Sequence, residues 1–144
     1  MASLKQLAAR MNRAADNLES VGKQVRDSTA NFLVKTLIER TPVDTSRALS
    51  NWRVTTGAIM PYIPPLSAGQ GGSTQAASAA MAISAAAAAI QAASPSQVLV
   101  IFNSVPYIRR LNDGYSAQAP AGFVEAAILL ARIHARTVKI DLGR

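Results

Sequence analysis

Three features of the chain predict an α+β fold. The N-terminus carries a long stripe of apolar residues at helical spacing, the C-terminus a shorter one, and two β-rich runs lie between them, around Trp52 and Val100. The expected architecture is a long N-terminal amphipathic helix and a C-terminal helix packed on a small, mainly antiparallel sheet. A long central loop and an alanine-rich helix should separate the two strands. At 144 residues the chain has the length of one domain, read as 1–144, with residues 1–40 forming the long helix.

From Leu4 to Leu37 the apolar positions are Leu4, Leu7, Met11, Ala14, Leu18, Val21, Val25, Phe32 and Leu37, mostly in alternating steps of three and four. That is the stripe of an amphipathic helix, and its heptad-like spacing makes a seam for a second helix. In so small a domain the first half of such a helix is expected to reach beyond its own core towards a partner. Pro42 should end it, because proline disfavours helical geometry in the residue before it. Asp44 or Thr45 is then placed to cap a short helix over Ser46–Asn51. Trp52–Thr56, closed by Gly57, reads as a strand with Trp52 as its core anchor.

Residues 60–73, rich in proline and glycine, read as a loop. The alanine-rich segment that follows has high helix propensity and a start signal at Ser73 or Thr74, and Pro95 closes it. Gln97–Asn103 is apolar enough to be a strand at the centre of the sheet, covered on both faces. After Pro106, a turn of helix over Tyr107–Asn112 leads to Gly114, a residue suited to the positive φ that ends helices. Pro120 returns the chain into a last amphipathic helix, Ala121–Arg136. The alternating Val138–Leu142 suits a short edge strand or an arm.

Hydrophobic residues make up 49% of the chain, but many are alanine and only 5% of the chain is aromatic, so the core should rest on Leu, Ile and Val. There is no cysteine, which excludes a disulfide scaffold, a thiolate metal site and a cysteine nucleophile. The first twenty residues carry charges throughout and do not read as a signal peptide. The Ala76–Ala93 stretch is too alanine-rich for a membrane span, so no membrane partner is expected. Fifteen Lys and Arg against eight Asp and Glu give a net charge of +7, which attracts anionic surfaces. Every charge lies before Val54 or after Ile108. An uncharged middle of that length suits burial between subunits, or a polar loop.

No catalytic, cofactor-binding or metal-ligating constellation emerges. The single histidine, His134, has no acid or cysteine beside it in sequence and is expected to be a partly buried structural residue. The acids are scattered, and the glycines near 70 lack the Lys-Ser/Thr of a phosphate-binding loop. The residues best placed for a partner or for DNA phosphate are Arg10 and Arg13 on the first helix, and Arg109 and Arg110 beside Tyr107.

Two segments carry a resemblance. Thr41–Trp52, with Thr41, Pro42, Val43, Asp44 and Thr45 at its start, resembles the Thr-Pro-Val-Asp-Thr-Gly-Arg signature, closed by tryptophan, of small neck and tail-completion proteins of tailed bacteriophages. Ser46 stands where that signature has glycine. Asn103–Ile128 is similar to the same family's Asn-x-x-Pro-Tyr block, through Asn103, Pro106, Tyr107, Leu111, Gly114 and Pro120, with Asn112 where an acid is common. The order of elements is also similar, apart from a central insertion, 59–93. The resemblance implies a non-enzymatic virion subunit, assembled in the host cytoplasm, that forms a homo-oligomeric ring of six or twelve copies. Such a ring lies between connector or head-closure proteins and the tail, around the DNA channel. The competing reading from composition is a basic protein that binds nucleic acid nonspecifically.

Overall fold

A computed structural model describes residues 3–43, 46–61 and 73–140. The fold is α+β. The elements are α1 (Leu4–Arg40), α2 (Arg47–Ser50), β1 (Trp52–Thr55), α3 (Gln75–Ala92), β2 (Val100–Asn103), α4 (Ile108–Asn112) and α5 (Phe123–Ala135).

Helix α1 begins with a capping box that the apolar pattern did not disclose. The Gln6 amide N–H donates to Ser3 Oγ (3.3 Å), and Ser3 N–H donates to Gln6 Oε1 (2.9 Å). It ends before Pro42, as the proline requires. Its two halves have different surroundings: Ser3–Ser20 is exposed throughout, and burial starts at Val21 and becomes complete at Val34, Leu37 and Ile38. The packed half of α1 holds α5 on one side and α3 on the other.

Strands β1 and β2 pair antiparallel, with Trp52 opposite Asn103 and Thr55 opposite Val100. Among the described residues the sheet has these two strands, so the expectation of a central β2 covered on both faces is corrected. Only Phe102 of β2 is fully buried, and its other residues are half-exposed on a sheet edge. The strand is also shorter than expected, since Gln97–Leu99 lies outside the ladder. At the other end of the chain, the residues 138–140 of the proposed edge strand have no regular structure, and the remainder of that segment lies outside the described residues.

Helix α3 is a core element. It buries Ser78, Ala82, Ala86 and Ile90, spaced four apart, against α1, α2 and β1. Alanine contributes little area per residue but lets helix axes approach closely, so one face of the uncharged middle is covered by its own chain. By length and mean hydropathy (1.2) α3 could span a membrane, a property that core helices of folded domains share. Trp52, Phe123, Leu49 and Ile38 supply the bulk that the alanines lack.

Helix α2 starts at Arg47. The capping role expected of Asp44 or Thr45 lies outside the described residues, and the position before the helix belongs to Ser46, whose side chain makes no cap bond. Ser46 has φ +63°, in the left-handed region where glycine is at home, and it is the only non-glycine residue with positive φ among those described. That backbone explains why a glycine suits this position. Serine, itself buried, holds it through a part-buried contact from Oγ to Thr74 Oγ1 at 2.9 Å. Relief of left-handed strain and loss of that bond are each worth about 1 kcal/mol. Ser46→Gly should therefore leave the urea midpoint nearly unchanged. Ser46→Ala keeps the strain without the bond, and should lower stability by about 1 kcal/mol.

Candidate functional site

The two motif segments, distant in sequence, meet in one corner. Thr41 closes α1 by donating from Oγ1 to Leu37 O (2.6 Å) and accepts the indole N–H of Trp52 (2.8 Å), all buried. Asn103, opposite Trp52 in the ladder, donates from Nδ2 to Ala48 O (2.7 Å) and accepts from Val105 N–H at Oδ1 (3.0 Å). Gln118 works like one rung of a sheet: its Oε1 accepts from Val43 N–H (2.8 Å) and its Nε2 donates to Val43 O (3.0 Å). Thr41, Val43, Trp52 and Asn103 are thus spent on holding the corner together. A cleft of about 260 Å³ lies between the segments, lined by Pro42, Ser46, Arg47, Tyr107, Leu111 and Tyr115. None of these is an acid or a histidine.

The second segment is built around α4. Gly114 (φ +94°) ends this helix in a Schellman motif, with Tyr115 N–H donating to Arg110 O and Gly114 N–H to Leu111 O, both at 3.2 Å. A Cβ on Gly114 would also come within 3.1 Å of the Ala121 Cβ. Asn112 is the joint between α4 and α5. Its Oδ1 accepts from Val124 N–H (2.9 Å), its carbonyl from Gly122 N–H (2.7 Å), and its Nδ2 donates to both carboxylate oxygens of Glu125 (3.0 and 2.9 Å). It satisfies an amide of the first turn of α5 that an acid there would also satisfy. Leu111 packs against the core, while Pro106 and Pro120 lie on the surface and Tyr107 is partly exposed.

The Asn112 amide, then the Glu125 backbone N–H, holds the Glu125 carboxyl below its usual range. A lowered folded-state value means the contribution is present above the ordinary carboxylate pKa and lost as pH falls through the folded value. Glu125→Gln should therefore lie below the wild type in urea midpoint near neutrality. The gap should close as the carboxylate protonates in acid. A gap that persists unchanged at about pH 2 would sink this assignment.

His134 is half-buried, as expected, and stacks on Phe32 with ring centroids 4.3 Å apart and planes at 8°. Its Nε2 lies 3.0 Å from Ser28 Oγ, a pairing across 106 residues. A serine beside a histidine invites comparison with a nucleophile and its base, but the geometry lacks the other parts. Asp27 is held by Lys23 (2.6 Å) and Arg26 (2.7 Å) rather than by the imidazole. Ser28 lies mid-helix, where backbone N–H groups are consumed by the ladder and cannot form an oxyanion hole. Among the described residues, no group of three His, Cys, Asp or Glu side chains is placed to hold a metal ion.

Arg26 has a role that its position in the sequence did not reveal. It crosses from α1 to the C-terminal end of α3, where Nη1 donates to the carbonyls of Ser94 (2.6 Å) and Gln97 (2.8 Å) and Nη2 to Ala93 (3.2 Å). The last turn of α3 has no basic residue of its own. Arg26 supplies the positive charge and donors for that helix's negative end from another element.

The four arginines selected from sequence are exposed but divided. Arg10 and Arg13 stand on the free half of α1, and Arg109 and Arg110 on α4, where Arg110 lies 5.1 Å over the Tyr115 ring. No hydrogen bond or ion pair links the two pairs among the described residues. The free half of α1 also carries an uncovered apolar seam: Leu4, Leu7, Met11 and Leu18 are 51% to 85% exposed along it. Comparison of the chain with models of protein families, with curated proteins and with solved structures finds no match.

Proposed function

We propose that this chain is a non-enzymatic structural subunit of the head-to-tail neck of a tailed bacteriophage, assembling as a homo-oligomeric ring that joins the connector to the tail around the DNA channel. The observation that carries the reading is that the two phage-like segments converge on one corner, where their side chains are consumed in mutual hydrogen bonds. Motif residues spent on shape suit a subunit whose role is to present surfaces. The exposed seam of α1 supplies such a surface, because an isolated subunit leaves it in water whereas a ring can cover it. The test is electron microscopy of particles made without this protein. Filled heads and finished tails found apart are expected, and normal intact virions would refute the joining role.

A second reading, nonspecific nucleic-acid binding, is favoured by the net charge of +7 and the exposed arginines. Part of that charge is already committed, since Arg26 and Lys23 are engaged with Asp27 and the end of α3. Under this reading the purified protein binds duplex DNA, and affinity falls steeply with added salt. Rings that form without such binding would remove it.

A further inference from the structure

The cleft between the two motif segments keeps a chemistry that the corner's own hydrogen bonds do not consume. Its buried and half-buried lining is mainly apolar, at Pro42, Val43, Ala48 and Leu111, and Arg47, Tyr107 and Tyr115 stand exposed around it. Arg110 brings a second guanidinium to this edge, held 5.1 Å over the Tyr115 ring. Among the described residues the side chains of Arg47 and Arg110 have no ion pair, whereas Lys23, Arg26 and Lys35 each have a carboxylate at 2.6 to 3.8 Å. No described acid lines the cleft, and Asp113, close before Tyr115, pairs with neither arginine. Asp44 lies outside the described residues.

We propose that this cleft docks a short acidic segment of a second, different protein, with carboxylates on Arg47 and Arg110 and an apolar side chain against Pro42 and Leu111. The two unpaired guanidiniums name the charge of the occupant, because arginine presents a planar fork of donors that fits a carboxylate bidentately. Beside apolar surface such a pair is worth more than in open water. The Tyr115 ring decides between a carboxylate and nucleic acid. A nucleobase stacks on a free aromatic face, and Arg110 takes one face of Tyr115. A guanidinium held over a ring still has its in-plane N–H groups to give. At about 260 Å³ the cleft is smaller than the roughly 300–1,000 Å³ of sites that enclose whole small molecules, and it suits a few side chains. Another copy of this chain does not supply the segment. Its eight acids are scattered, and the closest two, Asp16 and Glu19, are fixed in α1, a helix about 10 Å across that is too wide to enter. The docking site stands whether or not the subunit closes into a ring.

The probe is a short fluorescein-labelled peptide of alternating glutamate and leucine, read by fluorescence anisotropy at about 0.15 M salt. Saturable binding is expected, at least about tenfold tighter than for the same peptide with glutamine in place of glutamate. Arg47→Glu and Arg110→Glu, both at exposed positions, should each weaken it at least about tenfold. Arg10→Glu, the same charge reversal on the free half of α1, should change it less than about twofold. Amide shifts in the unaltered protein give a second reading that needs no variant: the peptide should move Tyr107, Leu111 and Tyr115 and leave Leu7 and Met11 in place. Absence of saturable binding, or equal losses from Arg10→Glu and Arg47→Glu, would overturn the proposal. Duplex DNA that displaces the peptide, and itself loses affinity in the two corner variants but not in Arg10→Glu, would assign the arginines to nucleic acid and overturn it too. A change in the oligomeric state of the protein alone on Arg47→Glu would put a second copy in the cleft, with the same result.

Discussion

Arg26→Ala is expected to destabilise the fold by about 3 kcal/mol, the worth of a charged hydrogen-bonding group removed from acceptors that stay behind. The guanidinium holds the carbonyls of Ala93, Ser94 and Gln97, and its side chain is only 20% exposed. Removing it leaves the carbonyls of Ala93, Ser94 and Gln97 without their cation, with Lys23 Nζ 3.5 Å from Gln91 O as the remaining positive charge at the end of α3, and Asp27 with one fewer partner. It also unpins α3 from α1, and α3 carries the buried Ala82, Ala86 and Ile90. For a chain of this size the expected loss in melting temperature is on the order of 10 °C. Arg26→Lys should recover about half, because an ammonium keeps the charge but cannot present the planar fork of donors. Arg10→Ala, on the exposed half of the same helix, should stay within about 0.5 kcal/mol of the wild type. Equal effects of Arg26→Ala and Arg10→Ala in urea titration would refute the cross-helix cap.

The same arginine marks what was legible in the sequence. Helix positions, the stop at Pro42, the strand at Trp52 and the positive φ at Gly114 follow from local patterns that depend on neighbouring residues, and those elements are found. The half-exposed α1 was also legible, because one stripe is too long for so small a core. What pattern alone could not supply is pairing across distance. Arg26 meets the end of α3, Gln118 meets Val43, and Ser28 meets His134, each across about seventy residues or more. In the sequence Arg26 is one more charge on a polar face, and the uncharged middle looks unserved because its cation comes from another element. The extent of β2 was overestimated for a related reason: Val98 and Leu99 have strand composition, but the partner strand β1 is only four residues long. Strand length is fixed by the partner as well as by propensity. The left-handed backbone at Ser46 was hinted at only by the glycine of the phage signature.

Trp52→Ala should be the most damaging single change at the motif corner, lowering stability by about 4 kcal/mol through lost burial and the cavity left behind. Trp52 is the only tryptophan, is 6% exposed, and packs in a core otherwise rich in alanine that has little bulk with which to collapse into the gap. Against a total stability of about 5–15 kcal/mol, such a loss should move much of the expressed protein into the insoluble fraction. The indole N–H is separable from the ring. Trp52→Phe keeps most of the apolar volume, and Thr41→Val keeps the indole but removes its acceptor and the hydroxyl that bonds Leu37 O. Each should cost about 2 kcal/mol, the second because a buried N–H is left without a partner. Combining them removes donor and acceptor together, so the double variant should be about 1 kcal/mol more stable than the sum of the single losses predicts. Strict additivity in a urea-denaturation cycle would mean that Thr41 and Trp52 act independently, and that their hydrogen bond contributes nothing to holding the corner.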